Sequence, residues 1–275
     1  MNVAMEHAAA QQPAEIASRL VQARLTAKSL NAFPGIQPDN LDTAYACQDH
    51  AIKIFPDEIA GWKIGRLSPD QEAKFGQMRL SGPIFKKAVR QASKDSSIAF
   101  PVFDGGFAAV ESEFVLRLGR DAPADKTTWT ISEAADLVAA MHIGIETAGS
   151  PMAAINDLGG TAVISDFGNN AGLILGPEIS DWASRKLDTL KVATSINGVV
   201  AGQGNASGIP GGPVEALRFL LEHTAKRGRP LKKDMLISTG AVTGIHNVVA
   251  GHTGLADFGA DGRIACHAVK AIPQG

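Results

Sequence analysis

Apolar and polar positions follow two different periods along this chain, and the change from one to the other divides it. From Pro13 onward Ile16, Ala17, Leu20, Val21 and Leu25 recur at three- and four-residue spacing, which predicts an amphipathic helix. A second helix is expected to begin at Asp39 or Asn40, either of which can cap it, and to carry Leu41, Ala44, Tyr45 and Ile52. Pro34, Gly35 and Pro38 punctuate the gap between them. These helices mark an N-terminal helical portion over residues 1–56, ahead of a main domain over 57–275.

Beyond Pro56 the pattern shortens. IAGWKIG at 59–65 and SIAFPVF at 97–103 are apolar runs between turn formers and read as strands. LSPDQEAKFGQMRLSGP, from residue 67, has little periodicity and predicts a long loop with room for one short helix. AVESEFVLRL at 109–118 is the clearest strand, with Val110, Phe114, Leu116 and Leu118 on one face and Glu111, Glu113, Val115 and Arg117 on the other. Thr130 followed by Glu133 fits a capping box and opens a helix expected to run through Ala134, Ala135, Val138 and Met141 to Gly144. TAVISD at 161–166 and AGLILG at 171–176 read as strands. KVATSINGVVAGQG is a hairpin signal, because Asn197-Gly198 suits a type I′ turn. Pro213 starts a helix carrying Val214, Leu217, Leu220 and Leu221, which should stop before Gly228. MLISTG, IHNVVAG and GRIACHAV complete about nine strands with roughly three or four unevenly placed helices. A regular βαβ period is missing, so a mixed or antiparallel sheet core fits better than a doubly wound fold.

Composition narrows the partners. A formal net charge of −2 provides no broad positive field for nucleic acid or anionic lipid. No run approaches the roughly 18 apolar residues needed to span a bilayer. Cys47 and Cys266 stand alone, outside any CxxC spacing, so no disulfide framework is expected and a reducing cytoplasm is the natural location. Walker A, Rossmann and GxSxG signatures are absent, and GIPGGP at 208–213 lacks the lysine and hydroxyl of a phosphate loop.

The candidate chemistry lies in acids and one lysine. Glu111 and Glu113 emerge from one strand face, where like charges repel unless a hard divalent cation, or Arg117 on the same face, compensates them. The competing reading is the solvated face of a half-buried strand. Glu146 lies beside Ile143 and Ile145, either as a costly buried acid that needs a partner or as a surface residue at a helix end. Lys63 inside WKIG either snorkels from an edge strand or stabilises negative charge on an oxygen. Asp104 before Gly105-Gly106 and Asp166 before FGNN are each as readily turn residues as chemical ones. Thr239-Gly240-Ala241-Val242-Thr243 offers amides and hydroxyls that could hold a carboxylate, or makes a simple tight turn. His142, His246 and His252 stand in no HxxH or HExxH spacing.

Taken in order, GWKIG at 61–65, VESE at 110–113, the later Glu146, the Asn197-Gly198 turn leading to Gly204, STGAVTG at 238–244 and ADFG at 256–259 resemble the 2-oxopent-4-enoate hydratase and 4-oxalocrotonate decarboxylase family, within the fumarylacetoacetate hydrolase-like superfamily. The resemblance spans residues 15 to 270. It implies an α+β fold, a mixed β-sheet roll with an N-terminal helical portion, and a homo-oligomeric enzyme of aromatic degradation. It also implies Mg²⁺ or Mn²⁺ held by Glu111, Glu113 and Glu146, with Lys63 and Asp166 as catalytic residues and Phe167, Gly240 and Thr243 binding a small anionic 2-oxo or 2-enol acid. Phe167 stands where the family often has Asn, Ala241 replaces a Ser, Arg66-Leu67-Ser68 replaces a small, Thr-containing stretch, and His252 replaces a frequent Asp. The implied reaction is hydration of 2-hydroxypenta-2,4-dienoate to 4-hydroxy-2-oxopentanoate. Decarboxylation of 4-oxalocrotonate uses the same electron sink and would want a far-end cation such as Arg66 or Arg79. Acylpyruvate C–C hydrolysis would need a His–Glu pair that spacing does not reveal. A metal- and 2-oxoacid-binding protein without turnover is the reading from a different class.

Overall fold

The computed structural model describes residues 2–274, with side chains from Gln12 onward. In chain order the elements are α1 (Asn2–Leu25), α2 (Leu41–Ile54), β1 (Ile59–Arg66), α3 (Pro69–Phe75), β2 (Arg79–Phe85), β3 (Val89–Gln91), β4 (Ile98–Val102), β5 (Phe107–Leu118), α4 (Ile131–Ala135), β6 (Val138–Ser150), α5 (Gly160–Ser165), β7 (Asn170–Glu178), β8 (Lys191–Ile196), β9 (Val199–Asn205), α6 (Gly212–Lys226), β10 (Leu236–Ser238), β11 (His246–Asn247), β12 (Thr253–Asp257) and β13 (Arg263–Lys270).

Two mixed sheets make the roll. The larger runs β2-β1-β10-β5-β6-β7-β3, with β11 also pairing β5, and the smaller runs β4-β13-β12-β8-β9. Most neighbours are antiparallel, while β1–β10, β3–β7 and β4–β13 are parallel. The expected α+β roll with its helical N-terminal region is therefore what the chain forms. Phe114, Leu116 and Leu118 on one face of β5 pack into a core shared with Phe258, which follows β12, and Ile264 of β13, the Phe114 and Phe258 rings lying 5.5 Å apart. The opposite face of β5 is buried as well. Ala109 packs among α1, α2 and α5 residues, and Val115 meets Ile84, Leu173 and Leu236. Glu111 and Glu113 lie between these two apolar clusters, on a strand whose Arg117 is its one partly exposed residue.

Local signals held where they were strong. Asn40 caps α2 by accepting from the Thr43 amide at 2.8 Å. Asn197 and Gly198 both take positive φ, 50° and 78°, as a type I′ turn requires. Thr130 and Glu133 form a reciprocal capping box.

Four expectations are corrected. The helix from Thr130 stops at Ala135, and Val138–Ser150 is a long strand buried on both faces between β5 and β7; a strand with no wet face shows no alternation, so its alanines imitated a helical period. Residues 160–165 are a helix, all six buried, because a short apolar run does not reveal its period. The supposed loop after Leu67 holds α3 as allowed for, but also β2, whose Pro83 is tolerated because β2 is the sheet's edge. With β3 and β12, the described strands exceed the number expected.

Candidate metal centre

β5 and β6 place the acids by register. Glu111 lies directly opposite Glu146, and Glu113 lies opposite Gly144, so three carboxylates share one face of the central ladder. Each offers an oxygen within 4.8 Å of the others, and all three are buried. The reading of Glu111 and Glu113 as a solvated strand face, and of Glu146 as the end of a helix, is thereby overturned. Opposed like charges on neighbouring strands are destabilising, and burial multiplies the cost. Burial first, and then Glu146, push the Glu111 carboxyl up to about 7, with Lys63 acting in the other direction. Burial, Glu146 and Glu111 hold Glu113 well above the usual carboxylate range.

Lys63 is the counter-charge. It projects from β1, which joins β5 through β10, and its Nζ lies 3.4 Å from Glu146 Oε1 and donates to Asn169 Oδ1 at 3.2 Å. Burial disfavours its ammonium, but Glu146, Glu111 and Glu113 together outweigh that and raise its pKa. Other donors orient the acids. Ser238 Oγ and the Gly240 amide both donate to Glu113 Oε2, at 2.6 and 2.8 Å, and Asn170 Nδ2 donates to Glu146 Oε1 at 2.9 Å. The second oxygen of each, Glu113 Oε1 and Glu146 Oε2, is buried without a hydrogen-bond partner.

Three carboxylates against one ammonium leave the cluster two positive charges short of neutrality. Protonation can relieve that, or one divalent cation can. Two bare carboxylate oxygens on an all-oxygen donor set suit a hard cation, so the residues present fit Mg²⁺ or Mn²⁺ without distinguishing the two.

A cleft of about 580 Å³ reaches this cluster at Glu111 and Lys63, and is lined also by Asn169, Gly240, Arg66 and Arg79. Five other expected site residues do not line it: Glu113 and Glu146 lie buried beside Glu111, and Asp166, Phe167 and Thr243 are engaged elsewhere. Asp166 Oδ1 accepts from Arg24 Nε at 2.5 Å and Oδ2 accepts from Ser150 Oγ at 2.6 Å. The Phe167 ring packs edge-on against Phe55 and Phe85. Thr243 Oγ1 joins a chain linking Ser112, Thr194 and His246, behind β5 from the acids. Asp104 pairs with Lys270 at the surface. Sequence reasoning missed Asn169, Asn170, Ser238 and Arg24. The doubled asparagine of FGNN and an arginine extending α1's apolar stripe past Leu20 and Val21 were the available signals.

No protein-family model matches the chain. It is 24% identical over 235 residues to a 2-keto-4-pentenoate hydratase of Burkholderia vietnamiensis, covering 83% of this chain and 87% of that one. In structure it is similar to 4-oxalocrotonate decarboxylase from Pseudomonas putida G7, complexed with magnesium and adipate, with a TM-score of 0.76 at 17% identity over 94% of this chain and 98% of that one. It is also similar to fumarylpyruvate hydrolase from Pseudomonas aeruginosa, in complex with Mn²⁺ and pyruvate, with a TM-score of 0.58 at 14% identity over 76% and 89%. The fold these structures share is a mixed β roll, and in this chain it carries a buried carboxylate triad beside a lysine that could hold a metal ion. In sequence the chain is similar to 2-keto-4-pentenoate hydratases, and in fold to 4-oxalocrotonate decarboxylase and fumarylpyruvate hydrolase. Among the described residues no helix is long and apolar enough to cross a membrane.

Proposed function

We propose that this protein is a Mg²⁺- or Mn²⁺-dependent hydro-lyase of small 2-oxo and 2-hydroxydienoic acids, hydrating 2-hydroxypenta-2,4-dienoate to 4-hydroxy-2-oxopentanoate. The observation that carries the reading is the buried triad of Glu111, Glu113 and Glu146, with two bare oxygens, beside a cleft that Glu111 and Lys63 line. These three residues would hold the cation, which when bound supplies Lewis-acid polarisation and offsets the triad's charge.

Lys63 does the complementary work. The triad's carboxylates outweigh its burial and favour the ammonium, which suits it to donate to a substrate oxygen. Lining the cleft, it stabilises negative charge on the substrate's C2 oxygen as the dienol passes to the unsaturated ketone. In that passage the C2 hydroxyl loses its proton and C5 gains one; water then adds its hydroxide at C4 and its proton at C3, so that one water is consumed per product. Gly240 keeps Glu113 aimed through its amide, and Asn169 orients the Lys63 ammonium. Asp166, Phe167 and Thr243 act in this reading by shaping the walls behind the cleft.

One observation favours a second reaction. Arg66 and Arg79 are directly opposite in the β1–β2 ladder and both line the cleft. Opposed like charges are unfavourable unless anions compensate them, and Glu72 does so for Arg66 only at 3.8 Å. Three residues of strand separate Lys63 from Arg66, about 10 Å, which suits a second carboxylate on an extended substrate. That supports decarboxylation of 4-oxalocrotonate. Among the described residues no histidine lines the cleft, which gives acylpyruvate C–C hydrolysis no His–Glu pair to draw on.

The test is to supply metal-stripped protein with Mg²⁺ or Mn²⁺ and each substrate, following ultraviolet absorbance and product by NMR. Metal-dependent 4-hydroxy-2-oxopentanoate, lost in Glu111→Ala, supports hydration. Turnover of 4-oxalocrotonate alone, weakened by Arg79→Met, selects decarboxylation. A metal-loaded, folded protein that turns over neither would overturn both and leave the binding-protein reading.

A further inference from the structure

Residues 166–170 connect α5 to β7, and their backbone is unusual. Phe167, Gly168 and Asn169 take φ values of 58°, 64° and 53°, three left-handed residues in succession. Asn and Gly accept this conformation readily, whereas a bulky aromatic residue is a true outlier there and persists only where its surroundings over-determine it.

Three contacts do so. The Phe167 ring is held edge-on by Phe55 and Phe85, at 5.3 and 5.0 Å. The turn rests on Gly82, which lies directly opposite Lys63 in the β1–β2 ladder, and a β-carbon at Gly82 would collide with the Phe167 carbonyl. The third contact comes from the N-terminal helix. Arg24 Nε donates to Asp166 Oδ1 at 2.5 Å, one terminal nitrogen donates to the Asn170 carbonyl at 2.9 Å, and the other donates to the carbonyls of Gly149 at 2.9 Å and Asp166 at 3.1 Å. The guanidinium also sits 5.2 Å from the Phe167 ring centre. One buried side chain thus touches both ends of the turn and its middle.

What the turn presents is the site. Its Asn169 accepts from Lys63 Nζ, and the adjoining Asn170 donates to Glu146 Oε1. We propose that Arg24 is a positioning residue of the metal centre, locking the left-handed 166–170 turn so that Asn169 and Asn170 hold the Lys63–Glu146 pair in place. The N-terminal helix then contributes to the site without touching it, and Asp166 acts through Arg24. The affinity measurement below rests on the metal reading; the exchange measurement does not.

Arg24→Lys keeps the charge beside Asp166 but lacks the fork that spans the three carbonyls. Leu20→Ala, one turn earlier on the same buried face, loosens α1 without reaching the turn. Mn²⁺ affinity by calorimetry and amide exchange across 166–170 are measured for both, alongside the unaltered protein, on samples folded by circular dichroism. Arg24→Lys should bind Mn²⁺ roughly tenfold more weakly, the size typical of lost outer-shell support, with faster exchange across 166–170. Leu20→Ala should lower the unfolding midpoint and change neither readout. Unaltered affinity and exchange in Arg24→Lys, or equal changes in both variants, would overturn the proposal. If the unaltered protein binds no Mn²⁺, the metal reading fails and the exchange pattern alone decides the role of Arg24.

Discussion

Two buried carboxylate sites, a single aspartate and a glutamate triad, flank the 166–170 turn of this protein and are treated in opposite ways. Asp166 has both oxygens satisfied, by Arg24 and Ser150, and its charge is matched by a guanidinium with further bonds to backbone carbonyls. Glu111, Glu113 and Glu146 share one ammonium, and two of their oxygens face no donor. The first arrangement is complete without a ligand, so it belongs to the framework. The second is complete only with protons or with a cation, so it belongs to the chemistry. Burial alone does not separate the two; partner count does.

The two sites should respond oppositely to removal of a carboxylate. Asp166→Ala leaves Arg24 buried and unpaired, and should cost about 3–5 kcal/mol in urea unfolding. Glu111→Gln should do the reverse in cation-free protein, raising stability at pH 8 by about 3 kcal/mol, from the displacement of its carboxyl from 4.5 to about 7. The sign follows because the folded state holds this proton more tightly than the unfolded chain. That contribution is complete below about 4.5 and is lost as pH rises through about 7. Cation-free protein should therefore be less stable at pH 8 than at pH 6, and Glu111→Gln should flatten that slope. An unchanged slope would show that the triad carries no strain.

Smaller changes sharpen the contrast. Gly82→Ala forces the 166–170 turn away from β2 and should destabilise by about 1–3 kcal/mol, with weaker Mn²⁺ binding. Thr243→Val cuts the chain between Thr194 and His246 and should cost about 1 kcal/mol while leaving Mn²⁺ affinity unchanged. A large affinity loss from Thr243→Val would mean that the hydroxyl reaches the cleft after all.

Legibility in the sequence followed the range of the interactions. The Glu111–Glu113 pair was readable because two-residue spacing on a strand fixes a common face, and the Asn197-Gly198 turn because its backbone demands those residues. Lys63 stood out as a charge in an apolar run. Resemblance nominated Glu146 as a partner of that pair, whereas local pattern put it at a helix end, because β6 is apolar on both sides and its pairing with β5 is a tertiary fact. Asn169 and Asn170 reach the site only through a left-handed Phe167, a conformation that no local pattern predicts. The same dependence on packing made residues 160–165 a helix where a strand was expected, and left Asp166 and Thr243 behind the cleft wall.

The most direct measurement is titration of metal-stripped protein with Mn²⁺ by calorimetry at pH 6, in buffers of different ionisation heat, which counts both ions bound and protons released. One Mn²⁺ per chain should bind, displacing protons from the raised carboxyls of Glu111 and Glu113, and binding should be lost in Glu113→Ala. Absence of binding, or binding that releases no protons and survives Glu113→Ala, would contradict the claim that this triad exists to exchange protons for a divalent cation.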